Sequence, residues 1–381
     1  MTRPSPSTTL GFPLLVPGQV ARKADPSDAR DSNRLLVFGT LFPRTMMSRA
    51  DISRHTGLSR MAVSQITQEL IDEQFIREAG QQRASGRGRR GTLLSIDSDR
   101  HCVIAIDLSQ PYLIKGAVMS LKAQSLDHME IALDDTTELD PGIVTEFCRA
   151  LLAKAKVPVL GVGISVPGIV ETGGRVLNAS NLGWTDLDLG QMMSQELGVS
   201  VRLDNDANCA LTAERCFGER FSSGFFVQIT RGVGAATIID DAVVLGSNMA
   251  AGEIGHVCVK SDGPQCVCGK RGCLETMISV NALRRRINDN GSQRSEILAE
   301  AGAYLGDALS VPVSLLDIHD VSVYGPPELV SPAFLEAAER TLNANTALDH
   351  AAESRVRRCQ CGDDIALLGE TIAVVYDAIK R

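Results

Sequence analysis

Between residues 256 and 273 the chain carries His256, Cys266, Cys268 and Cys273, spaced His-x9-Cys-x-Cys-x4-Cys. Three thiolates and one imidazole suit a closed, tetrahedral zinc site. Gly263, Pro264, Gly269 and Gly272 punctuate the same stretch, so the backbone can turn tightly enough to bring the thiols onto one ion. A site with no open position is structural: it orders its flanks. Those flanks are Glu253, His256 and Glu275, groups able to bind polar ligands. The alternatives are reduced core cysteines or part of a disulfide set. Disulfides fit poorly, because the ten cysteines are scattered and Cys102, Cys148, Cys209 and Cys216 sit in apolar or helical contexts. Cys258 is a decoy ligand at most. Cys359-Gln-Cys361 is a second short cluster without partners nearby in sequence and is read as incidental.

Something must position these groups. At 381 residues the chain has room for two or three domains. No apolar run approaches a membrane span. Leu14-Leu15-Val16 is too short for a signal peptide and is bracketed by Pro13 and Pro17, so a cytoplasmic protein with reduced thiols is expected. Charge is uneven. Residues 1–100 hold 15 Lys+Arg against 10 Asp+Glu, a net of +5. The remainder holds 38 − 15 = 23 basic against 46 − 10 = 36 acidic residues, a net of −13. A basic front on an acidic body suggests a polyanion-binding module joined to something else.

Residues 1–30, rich in Pro, Ser, Thr and Asp, read as a flexible, disordered tail, with order beginning near Asp31. Leu35, Leu36, Phe38 and Leu41 give a first apolar helix face, stopped by Pro43. Ser48-Arg-Ala-Asp51 has capping-box form, with Asp in place of Glu, and opens a second helix. Thr56-Gly57-Leu58-Ser59 is a short turn. Ser59 can cap a third helix in which Val63, Ile66, Leu70 and Ile71 recur at helical spacing. Helix, Gly turn, helix at this length predicts a helix-turn-helix whose second helix enters the major groove of duplex DNA. Its outward candidates are Arg60, Met61, Ser64, Gln65 and Gln68, with Ser59 and Thr67 placed for phosphate contacts. Gln81 to Gly91, carrying Arg87, Arg89 and Arg90, reads as the tip of a β-wing whose arginines suit a narrow minor groove. The winged helix-turn-helix is therefore assigned to 31–97.

From Val103 the pattern turns to β/α. Buried strands are predicted at Cys102–Asp107 and Val159–Ser165, with others at Leu113–Val118, Leu126–Leu133, Val201–Asp204 and Phe225–Thr230. A helix from Pro141 to Lys156 turns Ile143, Val144, Phe147 and Leu151 inward. Two β/α sets with ligand-type residues at strand ends imply two lobes around a cleft.

Val166-Pro-Gly168, Asn181-Leu-Gly-Trp184, Asp204-Asn-Asp-Ala-Asn208, Gly252-Glu-Ile-Gly-His256 and Cys266-x-Cys268-Gly-x-x-Gly-Cys273-Leu-Glu275 follow one another in order. With the winged module ahead of them, they resemble the ROK family of repressors, open reading frames and kinases, and within it the sugar-responsive repressors. The resemblance runs from about Asp31 to the C-terminus. It implies an α/β architecture with a two-lobed, actin-like (ribonuclease-H-like) ROK domain over 101–381. Lobe 1 is expected at about 101–208 plus the C-terminal helix 363–381, and lobe 2 at about 209–362. The resemblance also implies a sugar contacted by Asn205, Asp206, Glu253, His256 and Glu275, with zinc holding the segment that presents His256 and Glu275. Such groups suit a polyol, whose hydroxyls both donate and accept.

The family includes sugar kinases, in which Asp206 would be the general base. Those kinases carry Asp-x-Gly-Gly-Thr after the first strand, where this chain has Asp107-Leu-Ser-Gln-Pro-Tyr112. Their second loop, Gly-Thr-Gly-x-Gly-Gly-Gly, is here Thr230-Arg-Gly-Val-Gly-Ala-Ala236. Phosphate loops rely on closely approaching backbone N–H groups, and two altered loops argue against ATP. The expectation is a non-enzymatic regulator, most directly a repressor. It binds a double-stranded operator as a homodimer or homotetramer and is controlled by a sugar or sugar derivative, with Asp206 a vestige. A sugar kinase with an appended DNA-binding domain and a repressor released by a protein partner are the alternatives. Arg231 and Arg175 are candidate cations for a phosphorylated ligand. The helix expected from Ala299 to Leu316, with small residues Ala301, Gly302 and Gly306, is a candidate source of subunit contacts.

Overall fold

The computed structural model describes residues 26–81, 91–110, 112–133, 138–289, 291–346 and 352–380. The front module consists of α1 (Pro26–Leu41), β1 (Met47–Ser48), α2 (Arg49–Thr56), α3 (Arg60–Asp72), β2 (Ile76–Gln81) and β3 (Thr92–Ile96). Helix α1 opens on Pro26, a residue suited to the first helical position, five residues ahead of the start expected at Asp31. The Ser48–Asp51 capping box forms, and Gly57 closes α2 with φ +73°. Ser59 Oγ accepts from the Ala62 N–H at 3.1 Å and so starts α3. Strands β2 and β3 pair antiparallel as the wing, in a sheet of order β1-β3-β2. The wing tip with Arg87, Arg89 and Arg90 lies outside the described residues, as does the expected tail up to residue 25.

Lobe 1 contains β4 (Cys102–Asp107), β5 (Leu113–Ser120), β6 (Ser125–Ala132), α4 (Pro141–Lys154), β7 (Val159–Val166), β8 (Ile169–Glu171), β9 (Arg175–Ala179), β10 (Trp184–Leu187), α5 (Leu189–Leu197) and β11 (Val201–Asn205). Its main sheet has the order β11-β7-β4-β5-β6, parallel between β11, β7 and β4 and antiparallel from β4 to β6. A small sheet, β10-β9-β8, was not foreseen. On α4, Val144, Phe147 and Leu151 are buried as expected, whereas Ile143 is 42% exposed. It sits in the first turn, on the side away from the sheet.

Helix α6 (Asp206–Phe217) leads into lobe 2, which holds β12 (Gly224–Ile229), β13 (Val233–Ile239), β14 (Ala242–Val243), α7 (Leu274–Ile278), α8 (Val280–Asp289), α9 (Arg294–Leu316), β15 (Asp320–Tyr324), α10 (Pro332–Thr346) and β16 (Arg355–Arg358). The sheet order is β14-β13-β12-β15-β16. One apolar core joins this sheet to α7–α10. Ala301, Gly302 and Gly306 are buried in it, against α10 of the same chain. A second core joins the sheet to Ala207, Ala210, Leu211 and Ala213 of α6. Since α6 also packs along the last helix, α11 (Ile365–Lys380), it lies between the lobes, and a boundary drawn at 208/209 falls inside it.

Helix α11 is shared. Leu367, Ile372, Val375, Tyr376 and Ile379 belong to one buried cluster with Val103 and Ala105 of β4 and with Leu35, Phe38, Ile52, Val63 and Leu70 of the winged module. Arg34, 3% exposed, donates from Nε to the Ile379 carbonyl at 2.9 Å and from Nη1 to Glu69 at 3.0 Å, and it also pairs with Glu73. A buried arginine needs such a full set of acceptors. The first and last helices of the described chain therefore form one wall.

Candidate functional site

The cleft lies where β11 runs into α6. Asn205 is the N-cap of α6, and its Oδ1 accepts from the Asn208 N–H at 3.1 Å. Its Nδ2 donates to the Gly168 carbonyl at 2.9 Å, tying the Val166-Pro-Gly168 turn to the helix. Asp206 accepts at Oδ1 from its neighbour's N–H (Ala207, 3.0 Å) and at Oδ2 from Gln228 Nε2 (2.9 Å). Burial, with Asp107 and Glu253 as like-charged neighbours, pushes the Asp206 carboxyl up to about 7. It is therefore poised to accept or to donate near neutrality.

Across the cleft, a short turn at Ile254–His256 presents Glu253 and His256. Gly252 makes this possible: at φ +100°, a Cβ there would stand 1.9 Å from the Ala235 carbonyl oxygen, so only glycine lets the turn lie flat on β13. Burial raises the Glu253 pKa, opposed by His256 and aided by Glu275. Glu275 Oε2 accepts from the Val233 N–H at 3.2 Å. Asn205, Asp206, Glu253, His256 and Glu275 thus line one cavity of about 180 Å³, together with Asn178, Ser180, Asn181, Gln228 and Arg231. That is below the about 300–1,000 Å³ of drug-sized pockets and suits a single small polyol. Gln228 escaped the sequence reading, although a lone amide inside the apolar run Phe225-Phe-Val-Gln-Ile229 was a usable signal. Arg175 does not join the site: it pairs with Asp186 at 2.6 Å on β9.

Beside the cleft, His256, Cys266, Cys268 and Cys273 bring one ligand atom each within 4.8 Å of one another. His256 Nδ1 is 3.5 Å from Cys266 Sγ, and Cys268 Sγ is 3.6 Å from Cys273 Sγ. Zn–S bonds of about 2.3 Å place two tetrahedral ligands roughly 3.8 Å apart, so the donor set and its spacing fit zinc. Gly272, at φ +62°, has no room for a side chain: a Cβ would fall 1.5 Å from the Lys260 carbonyl oxygen. Cys258 stays outside and donates to the Arg271 carbonyl at 3.3 Å. The nitrogen of His256 that faces Cys266 is Nδ1, and Nε2 points toward Glu253 at 3.8 Å. One ring therefore faces both the metal position and the cleft.

The Cys359-Gln-Cys361 pair does have a partner. Glu214, fully buried, accepts from Cys359 Sγ at 3.0 Å and from the Gln360 and Cys361 N–H groups at 3.0 and 3.2 Å, while Arg357 Nη1 donates to its other oxygen at 2.6 Å. These residues form a structural knot between α6 and β16.

The turns that carry phosphate loops in sugar kinases differ here. Asp107 is buried, and its Oδ1 accepts the Ser109 N–H at 2.8 Å, closing the first turn on itself. In the second turn the Thr230 N–H donates to the Gly232 carbonyl at 2.9 Å. The guanidinium carbon of Arg231 lies over the ring of Tyr112 from the first turn, 5.3 Å from its centre.

On the winged module, Ser59, Arg60, Met61, Ser64, Gln65 and Gln68 form one exposed strip, with Met61 82% exposed. Gln65 and Gln68 rest on Glu69 and Asp72 at 3.2 and 2.8 Å. Thr67 does not reach phosphates: it is fully buried and accepts at Oγ1 from Arg49 Nε at 3.0 Å. Arg49, which the sequence reading passed over, is the half-exposed cation at this spot.

A winged helix-turn-helix on a two-lobed domain with a polar cleft and a Cys/His cluster defines the class. Residues 103–369 match the model of the ROK family, and the chain belongs to that family. It is 34% identical over 260 residues to the xylose repressor of Caldicellulosiruptor bescii, covering 66% of this chain and 64%, just under two thirds, of that protein's length. Its fold matches a ROK family transcriptional regulator described as a homolog of the E. coli MLC protein, with TM-score 0.77 and 21% identity over 92% of this chain and 98% of that one. It also matches a ROK family glucokinase from Streptomyces griseus in complex with glucose and AMPPNP, with TM-score 0.62 and 22% identity over 71% and 98%.

Proposed function

We propose that this protein is a cytoplasmic, DNA-binding transcriptional repressor whose grip on its operator is set by a sugar or sugar derivative in the ROK-domain cleft. The observation that carries this is the joining of two sites in one rigid wall. The exposed strip Arg60, Met61, Ser64, Gln65, Gln68 is held by α1 against α11, and α11 packs on α6, whose first residues are Asn205 and Asp206. The relatives named as repressors support the same reading.

In this reading Asn205, Asp206, Glu253, His256 and Glu275 take the hydroxyls of one sugar ring, carboxylates accepting and amides both accepting and donating. A zinc ion held by Cys266, Cys268, Cys273 and His256 Nδ1 supplies structural cross-linking only. The loop so cross-linked would keep His256 Nε2 facing the cleft. Binding draws the turn at Ile254–His256 toward α6, and α6 and α11 carry the change to the paired winged modules of a homodimer or homotetramer. Half-site spacing then no longer fits the operator. Moving the equilibrium far requires a few kcal/mol of differential affinity. Asp206 is retained, but the self-closed turn at Asp107 and the Arg231–Tyr112 contact stand where phosphate loops need open backbone donors, which supports a sensor without kinase activity.

The test is selection of duplexes from a random pool by the purified full chain, then displacement by a sugar panel with ATP·Mg in parallel. Enrichment of a two-fold-related site, released by a sugar and not by ATP, supports the reading. A pool that stays unenriched overturns it, and sugar-dependent ATP turnover revives the kinase.

A further inference from the structure

We propose that the cleft is built for an effector carrying an anionic group, a phosphate ester or a carboxylate, held by Arg231. This rests on the reading of the cleft as a sugar site. The charges lining the cleft are lopsided. Asp206, Glu253 and Glu275 are its carboxylates, on both walls, and Arg231 is the one Arg or Lys among the described lining residues. Carboxylates suit hydroxyls but repel an anion, so an acidic group on the ligand has a single place to go.

Arg231 is prepared for that role. Among the described residues its guanidinium makes no hydrogen bond or ion pair; its one contact of note is the Tyr112 ring, 5.3 Å below. With no protein acceptor among the described residues, its N–H donors are left for a ligand, and the planar fork of a guanidinium matches phosphate or carboxylate. Tyr112 holds its place at φ +60°, a conformation uncommon for a residue with a side chain and associated with functional sites. The recess on the far side of Arg231 is only about 30 Å³ and is shared with Glu138, so an anion belongs on the cleft side. There Gly234 leaves the backbone open: a Cβ at that residue would have nothing nearer than Ala207 Cβ at 3.9 Å. The same guanidinium that lies over Tyr112 thus becomes a ligand for the sugar's own charge.

The test is calorimetric titration of the zinc-loaded full chain with glucose, xylose and N-acetylglucosamine, and with glucose 6-phosphate, N-acetylglucosamine 6-phosphate, gluconate and glucuronate. Arg231→Gln and Arg231→Lys are measured beside the wild type. One anionic compound is expected to bind about tenfold or more tightly than its neutral parent, a gap of about 1.4 kcal/mol. That gap should shrink with salt, close in Arg231→Gln and partly survive in Arg231→Lys. Whether a phosphate or a carboxylate produces it identifies the source of the charge. A neutral sugar that binds as tightly as its anionic forms overturns the role of Arg231 and leaves the sugar site standing, as does a preference that survives Arg231→Gln. Failure of every compound to bind overturns the sugar reading and this inference together.

Discussion

Phe217, the last residue of α6, sets its ring against Phe42, just beyond α1, with centroids 5.8 Å apart at 60°. The helix that begins at the cleft with Asp206 therefore ends on the winged module. Twelve residues of α-helix span about 18 Å, so one continuous element links the cleft to the winged module.

That pairing predicts a separable coupling. Phe217→Leu should keep sugar affinity and operator affinity each within about threefold. The effect of sugar on operator affinity should fall several-fold, since an edge-on aromatic pair contributes about 0.5–1.5 kcal/mol and couplings run to about 1–3 kcal/mol. Operator titrations with and without sugar measure it. Undiminished coupling would place the path elsewhere.

Zinc should be present at one ion per chain. Cys273→Ser or chelation should abolish the sugar-induced rise in melting temperature, because Glu253, His256 and Glu275 lose their common anchor. Circular dichroism of the winged module's helices should change little. Metal analysis and a thermal-shift titration decide the matter. A full sugar response in metal-free protein would refute the anchoring role.

Asp206 predicts a pH dependence of known sign. Its carboxyl titrates near 7 in the fold and near 4 when unfolded. Between those values the folded state holds the extra proton, so this group's contribution to stability falls as pH rises from about 4 to 7. Asp206→Asn removes that loss. Urea midpoints should show the variant gaining on the wild type by roughly 2 kcal/mol between pH 4 and 8, about half the full shift at 1.36 kcal/mol per unit, with most of the gain complete by pH 7. A gap that does not change with pH would place the titration in another group.

On the DNA face, Gln65→Ala or Arg60→Ala should cost about 1–3 kcal/mol of operator affinity if the residue reads a base edge. Thr67→Val should leave the salt dependence of binding untouched, since Thr67 is buried beneath Arg49. Replacing Arg87, Arg89 and Arg90 with Ala should lower the slope of log affinity against log salt by up to about 0.9 for each phosphate no longer neutralised. An unchanged slope would remove the wing from the interface.

Much of this was legible because local rules dominate it. The clustered Cys/His residues crowd into one glycine-punctuated loop, and the two caps at Ser48 and Ser59 announce their helices in four residues each. Thr67 was misplaced although its phase was available: it lies four residues after Val63 and three before Leu70, on the buried stripe of α3. The partner of Cys359 was out of reach, since Glu214 lies 145 residues away and nothing in the sequence around either one points to the other. The shared wall was invisible for the same reason, with Arg34 and Ile379 separated by 345 residues.

That wall sets an order of events during synthesis. A ribosome that has delivered residues 26 to 96 has supplied every element of the winged module, yet not the surface against which Leu35, Phe38 and Arg34 close. The missing surface arrives with Ile379, after both lobes have been made. The winged module is thus completed last, and a chain cut short before α11 holds helix α3 without the buried surface that supports it.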